Sequence, residues 1–263
     1  MTSRYFWNKK RFFLMTSGSG GGGGEYWYLP PGVSDADVIA AYTFKGAASA
    51  AAALKNRAGT GSVYDLTENR SPSWTAANGY YVGANNGSYL HSTNLGANYE
   101  IKTIVIRFAG LSTANAAILP LSLLKGQTGA GTANPLFYAR PNFRVIYDGV
   151  EKTIESSYPC IVTALNTTTE KMTYKVGSTK VAAAGILACD ASHIYYNGSA
   201  MALTTKTTTC DSSITTEINL HTQYSYTIAA NAAYPYYVIA AAFYNKVLSA
   251  AAHAWIAESL IAI

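Results

Sequence analysis

Charged residues are scarce in this chain, and that scarcity limits the class of protein it can be. Only 13% of the residues are charged while 49% are hydrophobic, and the mean hydropathy is +0.06. A chain of this composition can bury a core, which excludes a protein that is disordered throughout. With 263 residues it is long enough for one large β domain.

The formal net charge of +5 is concentrated at one end of the chain. Four bases, Arg4, Lys9, Lys10 and Arg11, precede the first acid, Glu25. The rest of the chain is therefore nearly neutral and offers no basic face to a phosphate backbone. We predict that nucleic acid is not a partner.

Long apolar runs are also missing. A membrane-spanning helix needs about 20 apolar residues, whereas the longest candidate, residues 236–243, has the length of a buried strand. The apolar stretch at residues 12–15 is shorter than the core of a signal peptide, and no small-residue cleavage site follows it. The sequence predicts neither a membrane span nor a signal peptide, so an extracellular protein would leave its cell by another route.

Cysteine is rare and its spacing is uninformative. Cys160, Cys189 and Cys210 form no Cys-x-x-Cys motif and have no histidine cluster nearby. This argues against a zinc site and against a full disulfide framework. Free, buried thiols are the favoured interpretation, although one pair could form in an oxidising compartment.

Motifs of familiar catalytic chemistry are absent from the sequence. It has no Gly-x-Ser-x-Gly, and spacing gives none of the four histidines, His91, His193, His221 and His253, an acid or thiol partner. The glycine-rich stretch at residues 126–131 lacks the Lys-Ser/Thr ending of a phosphate-binding loop. We predict that the protein is not an enzyme.

Composition divides the chain into three parts. Residues 1–15 mix aromatic and basic side chains, residues 16–24 are a Thr/Ser/Gly tract, and residues 25–263 form the body. Exposed aromatics at such density imply something that covers them, and a glycine tract behaves as a flexible tether. We predict that residues 1–24 anchor the body to other structural proteins of a particle, in a homo-oligomer or symmetric assembly; a disordered tail or an expression scar is the alternative. The predicted anchor contacts are Arg4, Tyr5, Phe6, Trp7, Lys9, Lys10, Arg11, Phe12 and Phe13.

The body is predicted to be all-β. Its strand candidates are rich in β-branched and aromatic residues, and several alternate in polarity. Two of them end in the hairpin-type turns Asp148-Gly149 and Asn197-Gly198. Numerous strands punctuated by Gly and Asn favour a two-sheet antiparallel jelly-roll sandwich. The strand candidates are residues 37–44, 99–108, 143–147, 160–164, 172–176, 195–196, 217–222 and 236–244.

Helix is predicted in only two places. The Ala-rich residues 47–55 favour about two turns. Ser249 is a favourable N-cap for a short C-terminal helix beginning at Ala250. We expect that helix to pack on one edge of the sandwich. We also expect an extended N-terminal arm before the sandwich.

Tyrosine is the main chemical resource of the body. A tyrosine ring can stack on the C–H face of a sugar or on a partner protein while its hydroxyl stays hydrogen-bonded. Several tyrosines lie in the Gly/Asn-rich residues 78–94 or precede the last predicted strand. The alternative is that these rings fill the rim of the β core. The predicted ligand contacts are Tyr80, Tyr81, Tyr89, His91, Tyr224 and Tyr236.

The order of several motifs is similar to that of a known family. The opening strand at residues 40–44, a loop with Asn56 and Gly59, the strand at residues 104–108, His193-Ile-Tyr-Tyr-Asn-Gly and the closing residues 238–249 come in that order. Together they resemble the concanavalin A-like lectin/glucanase fold in its laminin-G-like form. The basic-aromatic start followed by glycines resembles the beginning of tailed-phage virion proteins.

The resemblance implies further expectations, which the sequence supports unevenly. Glucanases of this fold use Glu-x-Asp-x-x-Glu to hold two carboxylates about 5 Å apart, and this motif is absent. Some members of the fold bind calcium, for which Asp65 with Asn69, or Asp148, would supply oxygens; no other cofactor is expected.

The resemblance and the chain organisation together predict a function. We predict a non-enzymatic virion or surface structural protein, associated with decoration, a fibre or a tail, that displays the sandwich for attachment or subunit contact in an extracellular particle. A lectin that binds host surface glycans in adhesion is the alternative. A polysaccharide-cleaving enzyme is the third.

Overall fold

A computed structural model describes residues 26–69, 71–82, 88–92, 101–110, 121–123, 138–139, 143–147, 150–155, 159–166, 171–190, 192–209, 218–220 and 236–263. Within these ranges the helices are α1 (Ala50–Ala53) and α2 (Ala250–Ile261), and single 3-10 turns occur at Asp35–Asp37 and Gly61–Tyr64. The strands are β1 (Val38–Thr43), β2 (Thr67–Asn69), β3 (Ser73–Thr75), β4 (Gly79–Val82), β5 (Tyr89–Ser92), β6 (Thr103–Ala109), β7 (Leu121–Leu123), β8 (Tyr138–Ala139), β9 (Phe143–Tyr147), β10 (Val150–Glu155), β11 (Cys160–Asn166), β12 (Lys171–Gly177), β13 (Gly185–Asp190), β14 (Ile194–Tyr196), β15 (Ser199–Ala200), β16 (Leu203–Thr209), β17 (Ile218–Leu220) and β18 (Tyr236–Tyr244).

The strands pair in antiparallel sheets. The largest is an eight-stranded sheet in the order β15-β14-β13-β6-β18-β4-β3, with β1 also paired to β18. A five-stranded sheet has the order β2-β5-β17-β7-β8, and the smaller sheets are β11-β12-β16 and the hairpin β9-β10. The prediction of an all-β antiparallel fold with a short C-terminal helix is confirmed. The predicted N-terminal arm, residues 1–24, lies outside the described residues.

The inner face of the eight-stranded sheet carries the larger core. Successive side chains of a strand point to opposite faces, so alternate residues of β1, β4, β6 and β18 meet here, together with Leu66 and with Leu90 of β5. Aromatic rings dominate the packing: Phe44 meets Tyr80 edge-on, with ring centroids 5.7 Å apart. Leu90, which belongs to the five-stranded sheet, links the two larger sheets through this core.

The outer face of the same sheet carries a second core. The turn around Trp27 and Tyr28, together with helix α2, covers apolar side chains of β1, β6, β13 and β18. All six residues of β1 are therefore buried, because both faces of that strand are covered. The sequence predicts the C-terminal helix on one edge of the sandwich; in the structure α2 lies over the outer face beside the edge strand β15, and Ile256, Ala257 and Leu260 pack in the second core.

Local signals account for the ends of several elements. Ser249 caps α2 as predicted, since its Oγ accepts a hydrogen bond from the Ala252 amide at 3.2 Å. Asn197 and Gly198 both have positive φ and join β14 to β15 in the predicted tight hairpin. The predicted Ala-rich helix is shorter than expected: α1 begins only after Ser49, its N-cap, and makes a single turn.

Candidate functional site

Within the described residues, the second core does not extend to the end of the outer sheet face where β18 begins, and we call this the open end. There Tyr81 of β4 and Tyr237 of β18 are direct cross-strand partners and are partly exposed. The same row continues to Ser73 of β3 on one side and to Ala109 of β6 on the other. Residues opposite one another in neighbouring strands share a face. This row is the candidate site, and we call it the tyrosine row.

The two rings of the tyrosine row form a tilted pair. Their centroids are 4.8 Å apart and their planes meet at 43°. Within the described part of the chain, neither phenol hydroxyl makes a hydrogen bond. The pair therefore presents aromatic surface together with two hydroxyl groups that can each donate and accept.

Gly110 lets the Tyr237 ring lie low against the sheet. Its φ is +70°, and a Cβ at this position would lie 3.1 Å from Cδ2 of Tyr237. A side chain here would be strained and would press on the ring. Glycine at position 110 thus helps to set the position of the Tyr237 ring.

The edge strand β3 borders the row with hydroxyl groups. Ser73 and Thr75 are exposed, whereas Trp74 between them packs against the inner core. The Thr75 hydroxyl also accepts a hydrogen bond from the Asn78 amide at 3.2 Å. The neighbourhood of the two rings is therefore polar without being charged on this side.

Among the described residues, Arg107 of β6 is a charged side chain on the same face as the row. It stands two residues before Ala109, diagonal to Tyr237 across the strand pair. Its guanidinium donates to the main-chain carbonyl of Leu260, at the end of α2, and desolvation lowers its pKa from the usual value. A cation at this place compensates the carbonyls that end a helix.

Two of the predicted ligand contacts lie in the core. Tyr80 and Tyr236 are each 0% exposed. The Tyr80 hydroxyl donates to Oε1 of Glu68 at 2.6 Å and lies 3.1 Å from the Ala50 carbonyl; burial raises the pKa of both phenols. These two rings cannot stack on a ligand at the surface, because β4 and β18 turn them toward the inner face. Tyr81 is the predicted contact that lies in the tyrosine row.

The other predicted contacts are outside what the structure describes. Tyr89 and His91 lie on β5, where His91 is the register partner of Thr67 and of Asn219, but their side chains are not among the described ones. Tyr224 and every predicted anchor residue also fall outside the described ranges. All of these remain predictions.

The calcium candidates are only partly described. The Asp65 carboxylate already accepts hydrogen bonds from Lys55 Nζ at 2.7 Å and from the Asn56 amide at 2.8 Å. The Asn69 side chain and Asp148 fall outside the described part. Among the described residues, no three His, Cys, Asp or Glu side chains are grouped as a metal site requires.

Cys189 is a free, buried thiol. It lies in the inner core, and burial raises its pKa above the ordinary value of a thiol. A thiol so placed is an inert packing group, which agrees with the favoured interpretation of the sequence. The side chains of Cys160 and Cys210 are not described.

Two histidines lie in contacts that residue spacing did not reveal. Nδ1 of His193 is 3.0 Å from the carboxylate of buried Asp190, which also accepts from the amides of Ser192 and His193 and so closes the turn between β13 and β14. His253 of α2 is buried and stacks on Tyr195 with ring centroids 3.8 Å apart, and neither of its ring nitrogens has a hydrogen-bond partner among the described residues. The motif Asp-x-x-His, which ends just before β14, could have predicted the contact between Asp190 and His193 from the sequence.

None of the helices in the described ranges is long and apolar enough to cross a membrane.

Comparison with known proteins gives distant structural neighbours. No family model and no curated protein matches the chain. The binding domain of botulinum neurotoxin serotype D/C is 9% identical, with a TM-score of 0.45 over 86% of this chain and 53% of that one. A structure of botulinum neurotoxin type C, a toxin whose cell entry depends on interaction with two ganglioside molecules, is 10% identical. Its TM-score is 0.45 over 86% of this chain and 52% of that one. The chain thus spans about half the length of these neighbours.

Proposed function

We propose that the chain is a non-enzymatic carbohydrate-binding module whose sugar lies on the tyrosine row. The observation that carries this proposal is the partly exposed Tyr81–Tyr237 pair, with its rings 4.8 Å apart at the end of the outer sheet face that the second core of described residues does not reach. Sugars offer apolar C–H faces edged by hydroxyl groups. Tyrosine supplies the matching surface, since it is apolar in its ring and polar at its tip.

The surroundings of the pair support binding without catalysis. Ser73 and Thr75 place hydroxyl groups beside the rings, and Gly110 holds the Tyr237 ring close to the sheet. A rigid strand pair positions such groups better than a loop does. The row offers hydrogen bonds and stacking, and these orient a sugar without attacking it.

We further propose that the module is displayed on an extracellular particle through residues 1–24, in contact with neighbouring structural proteins. Nine aromatic and basic side chains in residues 4–13 and the glycine tract behind them support this role. Deletion of residues 1–24 is expected to abolish incorporation into the particle. Full incorporation of the truncated chain would overturn the anchor.

A glycan array probed with the full chain tests the carbohydrate proposal, and isothermal titration calorimetry then measures the dissociation constant for each glycan that binds. Loss of one stacked ring removes about 1 kcal/mol, so Tyr81→Ala and Tyr237→Ala should each weaken binding by about fivefold. Tyr26→Ala is the matched control, because Tyr26 is 41% exposed but lies outside the tyrosine row. Absence of any bound glycan, or equal loss in all three variants, would contradict the proposal.

A further inference from the structure

Arg107 of β6 carries a charge that the fold compensates only in part. Its side chain is half-buried, and desolvation lowers its pKa from the usual value. Within the described ranges, its guanidinium donates to the Leu260 carbonyl, and no carboxylate forms an ion pair with it. Charged groups that leave water are normally paired with an opposite charge. Arg107 therefore lacks the partner of full charge that such a group normally has.

The end of α2 does not use up the guanidinium. The carbonyls that end a helix together carry about half of a negative charge, whereas a guanidinium carries a full positive charge. The Leu260 carbonyl accepts from Nη1 alone, and a guanidinium has several further N–H donors in a planar fork. Arg107 thus keeps N–H groups and part of its charge for another acceptor.

Arg107 lies beside the tyrosine row on the same face of the sheet. Ala109 is the register partner of Tyr237, and Arg107 precedes Ala109 by two residues. Arg107 and Tyr237 are therefore diagonal neighbours, which lie about 7–8 Å apart and within reach of long side chains. On β6, the side chain between Arg107 and the row is the methyl group of Ala109. A ligand that stacks on the Tyr237 ring can therefore reach the guanidinium.

An irregularity in β18 occurs at the same place. The register of β18 against β6 shifts between Val238 and Ala240, and Ala240 is the partner of Arg107. A bulge bends its strand and re-aims the neighbouring side chains, and bulges are frequent next to active sites. Tyr237 precedes the shift and Arg107 lies opposite its far end. The sheet is thus bent between the two groups.

The two groups match the two parts of an acidic sugar. A sugar has an apolar C–H face that can stack on a phenol ring. A carboxylate or sulfate group can accept parallel hydrogen bonds from the fork of a guanidinium. We propose that the tyrosine row takes an acidic glycan, whose anionic oxygens bind Arg107 while a sugar ring stacks on Tyr237. This inference rests on the proposed function and adds the class of ligand.

A glycan array of matched pairs tests the class of ligand. Each sialic acid- or uronate-containing glycan stands beside its methyl ester, and each sulfated glycan stands beside its desulfated form. The full chain is applied at about 0.05 and 0.5 M NaCl, between which the screening length falls about threefold. The pairs that respond show whether the anionic oxygens belong to a carboxylate or to a sulfate.

The acidic member of a pair should bind at least about fivefold more tightly than its neutral counterpart, because hydrogen bonds to a charged group are the stronger ones. Its affinity should also fall at least about twofold more at the higher salt concentration. Equal binding within every pair would overturn the acidic class and leave the carbohydrate proposal intact. Absence of any bound glycan would overturn the proposed function as well.

Arg107→Gln removes the charge but keeps an N–H donor for the Leu260 carbonyl. Calorimetry should show that this variant binds the acidic glycans at least about tenfold more weakly and their neutral counterparts within about twofold of the native chain. Arg57→Gln is the matched control, because Arg57 is exposed and lies outside β6 and the tyrosine row. Unchanged binding by Arg107→Gln, or equal losses in both variants, would overturn the role of Arg107.

Arg107→Lys separates the charge from the fork and serves also where Arg107→Gln does not fold. Lysine keeps the positive charge but cannot form the parallel pair of hydrogen bonds. This variant should bind acidic glycans at least about threefold more weakly than the native chain and keep the salt dependence. Full affinity would show that a point charge suffices and would overturn the parallel hydrogen bonds; loss of the salt dependence would show that position 107 does not meet the anionic group.

Discussion

The two ends of the outer sheet face use the same residue type in opposite ways. At the covered end Tyr28 and Tyr244 are almost fully buried, and their hydroxyls donate to the carbonyls of Arg57 at 2.8 Å and Tyr28 at 3.0 Å. At the open end Tyr81 and Tyr237 are partly exposed and donate to no residue of the described chain. The hydroxyl groups at the covered end therefore stabilise the fold, whereas those at the open end are available to the proposed ligand.

What separates the two ends is the presence of a covering layer. The turn with Trp27 and the helix α2 supply that layer, and the indole Nε1 of Trp27 reaches through it to Thr43 Oγ1 at 2.9 Å. Buried polar groups that are paired in this way favour one arrangement of the layer. We therefore expect substitutions at the covered end to change stability, and substitutions at the open end to change binding.

The largest effect is expected from Ile256→Ala in α2. Ile256 is 1% exposed against the sheet, and shortening such a side chain leaves a cavity that costs about 2–5 kcal/mol of unfolding free energy. Ile261→Ala is the control, since Ile261 is 67% exposed and its loss should change stability by less than about 0.5 kcal/mol. Chemical denaturation measures both. Similar losses for the two variants would mean that α2 does not cover the face.

Acid should weaken the covered end through His253. Burial lowers the pKa of this imidazole from 6.5 to about 4; Asp190 favours its protonation and His193 opposes it, both more weakly than burial. The unfolded chain therefore binds a proton that the folded chain rejects. Stability from this group is complete above pH 6.5 and falls by about 3 kcal/mol as the pH approaches 4.

His253→Phe isolates that contribution. A phenyl ring keeps the planar contact with Tyr195, whose ring centroid lies 3.8 Å away in the native chain, but it cannot titrate. Unfolding free energies measured at several pH values between 7 and 4 should show a shallower decline for the variant, because other acidic groups titrate in both proteins. Parallel declines would refute the role of His253.

The contact between the β14–β15 turn and α2 can be tested with matched glycines. Gly198 has φ +82°, and a Cβ there would lie 2.9 Å from Cβ of Ala257 in α2; Gly32 has φ +83° with no atom within 4 Å. Both alanine variants share a backbone strain of about 1–2 kcal/mol. Gly198→Ala should lose about 1–2 kcal/mol more, because the helix must shift. Equal losses would show that the helix does not press on the turn.

Sequence pattern identified the elements of the fold well where a local signal exists. Residues 143–147 and 236–244 are strands with the predicted bounds, and Ser249 and Asn197-Gly198 act as the predicted cap and turn. Capping and tight turns depend on a few adjacent atoms, so one residue can specify them. The position of α2 over the sheet face depends on which strands lie beneath it, which no local signal gives.

Of the six predicted ligand contacts, the structure places Tyr81 in the tyrosine row and buries Tyr80 and Tyr236. The sequence prediction includes both tyrosines of the pair 80–81 but only Tyr236 of the pair 236–237, so it misses Tyr237. Side chains alternate between the two faces of a strand, and Val82 and Val238 are buried with Tyr80 and Tyr236, so Tyr81 and Tyr237 face outward. This alternation can be seen in the sequence. The pairing of β4 with β18, which makes two outward rings into one site, required the structure.

The smallest effect is expected from a change at the open end that spares the two rings themselves. Gly110→Ala adds a Cβ 3.1 Å from the Tyr237 ring at φ +70°, and Gly61→Ala adds one with no atom within 4 Å at φ +71°. The shared backbone strain cancels between them, so their unfolding free energies should differ by less than about 1 kcal/mol. Of these two substitutions, only Gly110→Ala displaces the Tyr237 ring. Gly110→Ala should therefore weaken glycan binding by about threefold while Gly61→Ala leaves it unchanged. Equal affinities measured by calorimetry would show that the position of the Tyr237 ring does not affect the ligand. The proposal that the open end binds a ligand while the covered end stabilises the fold would then fail.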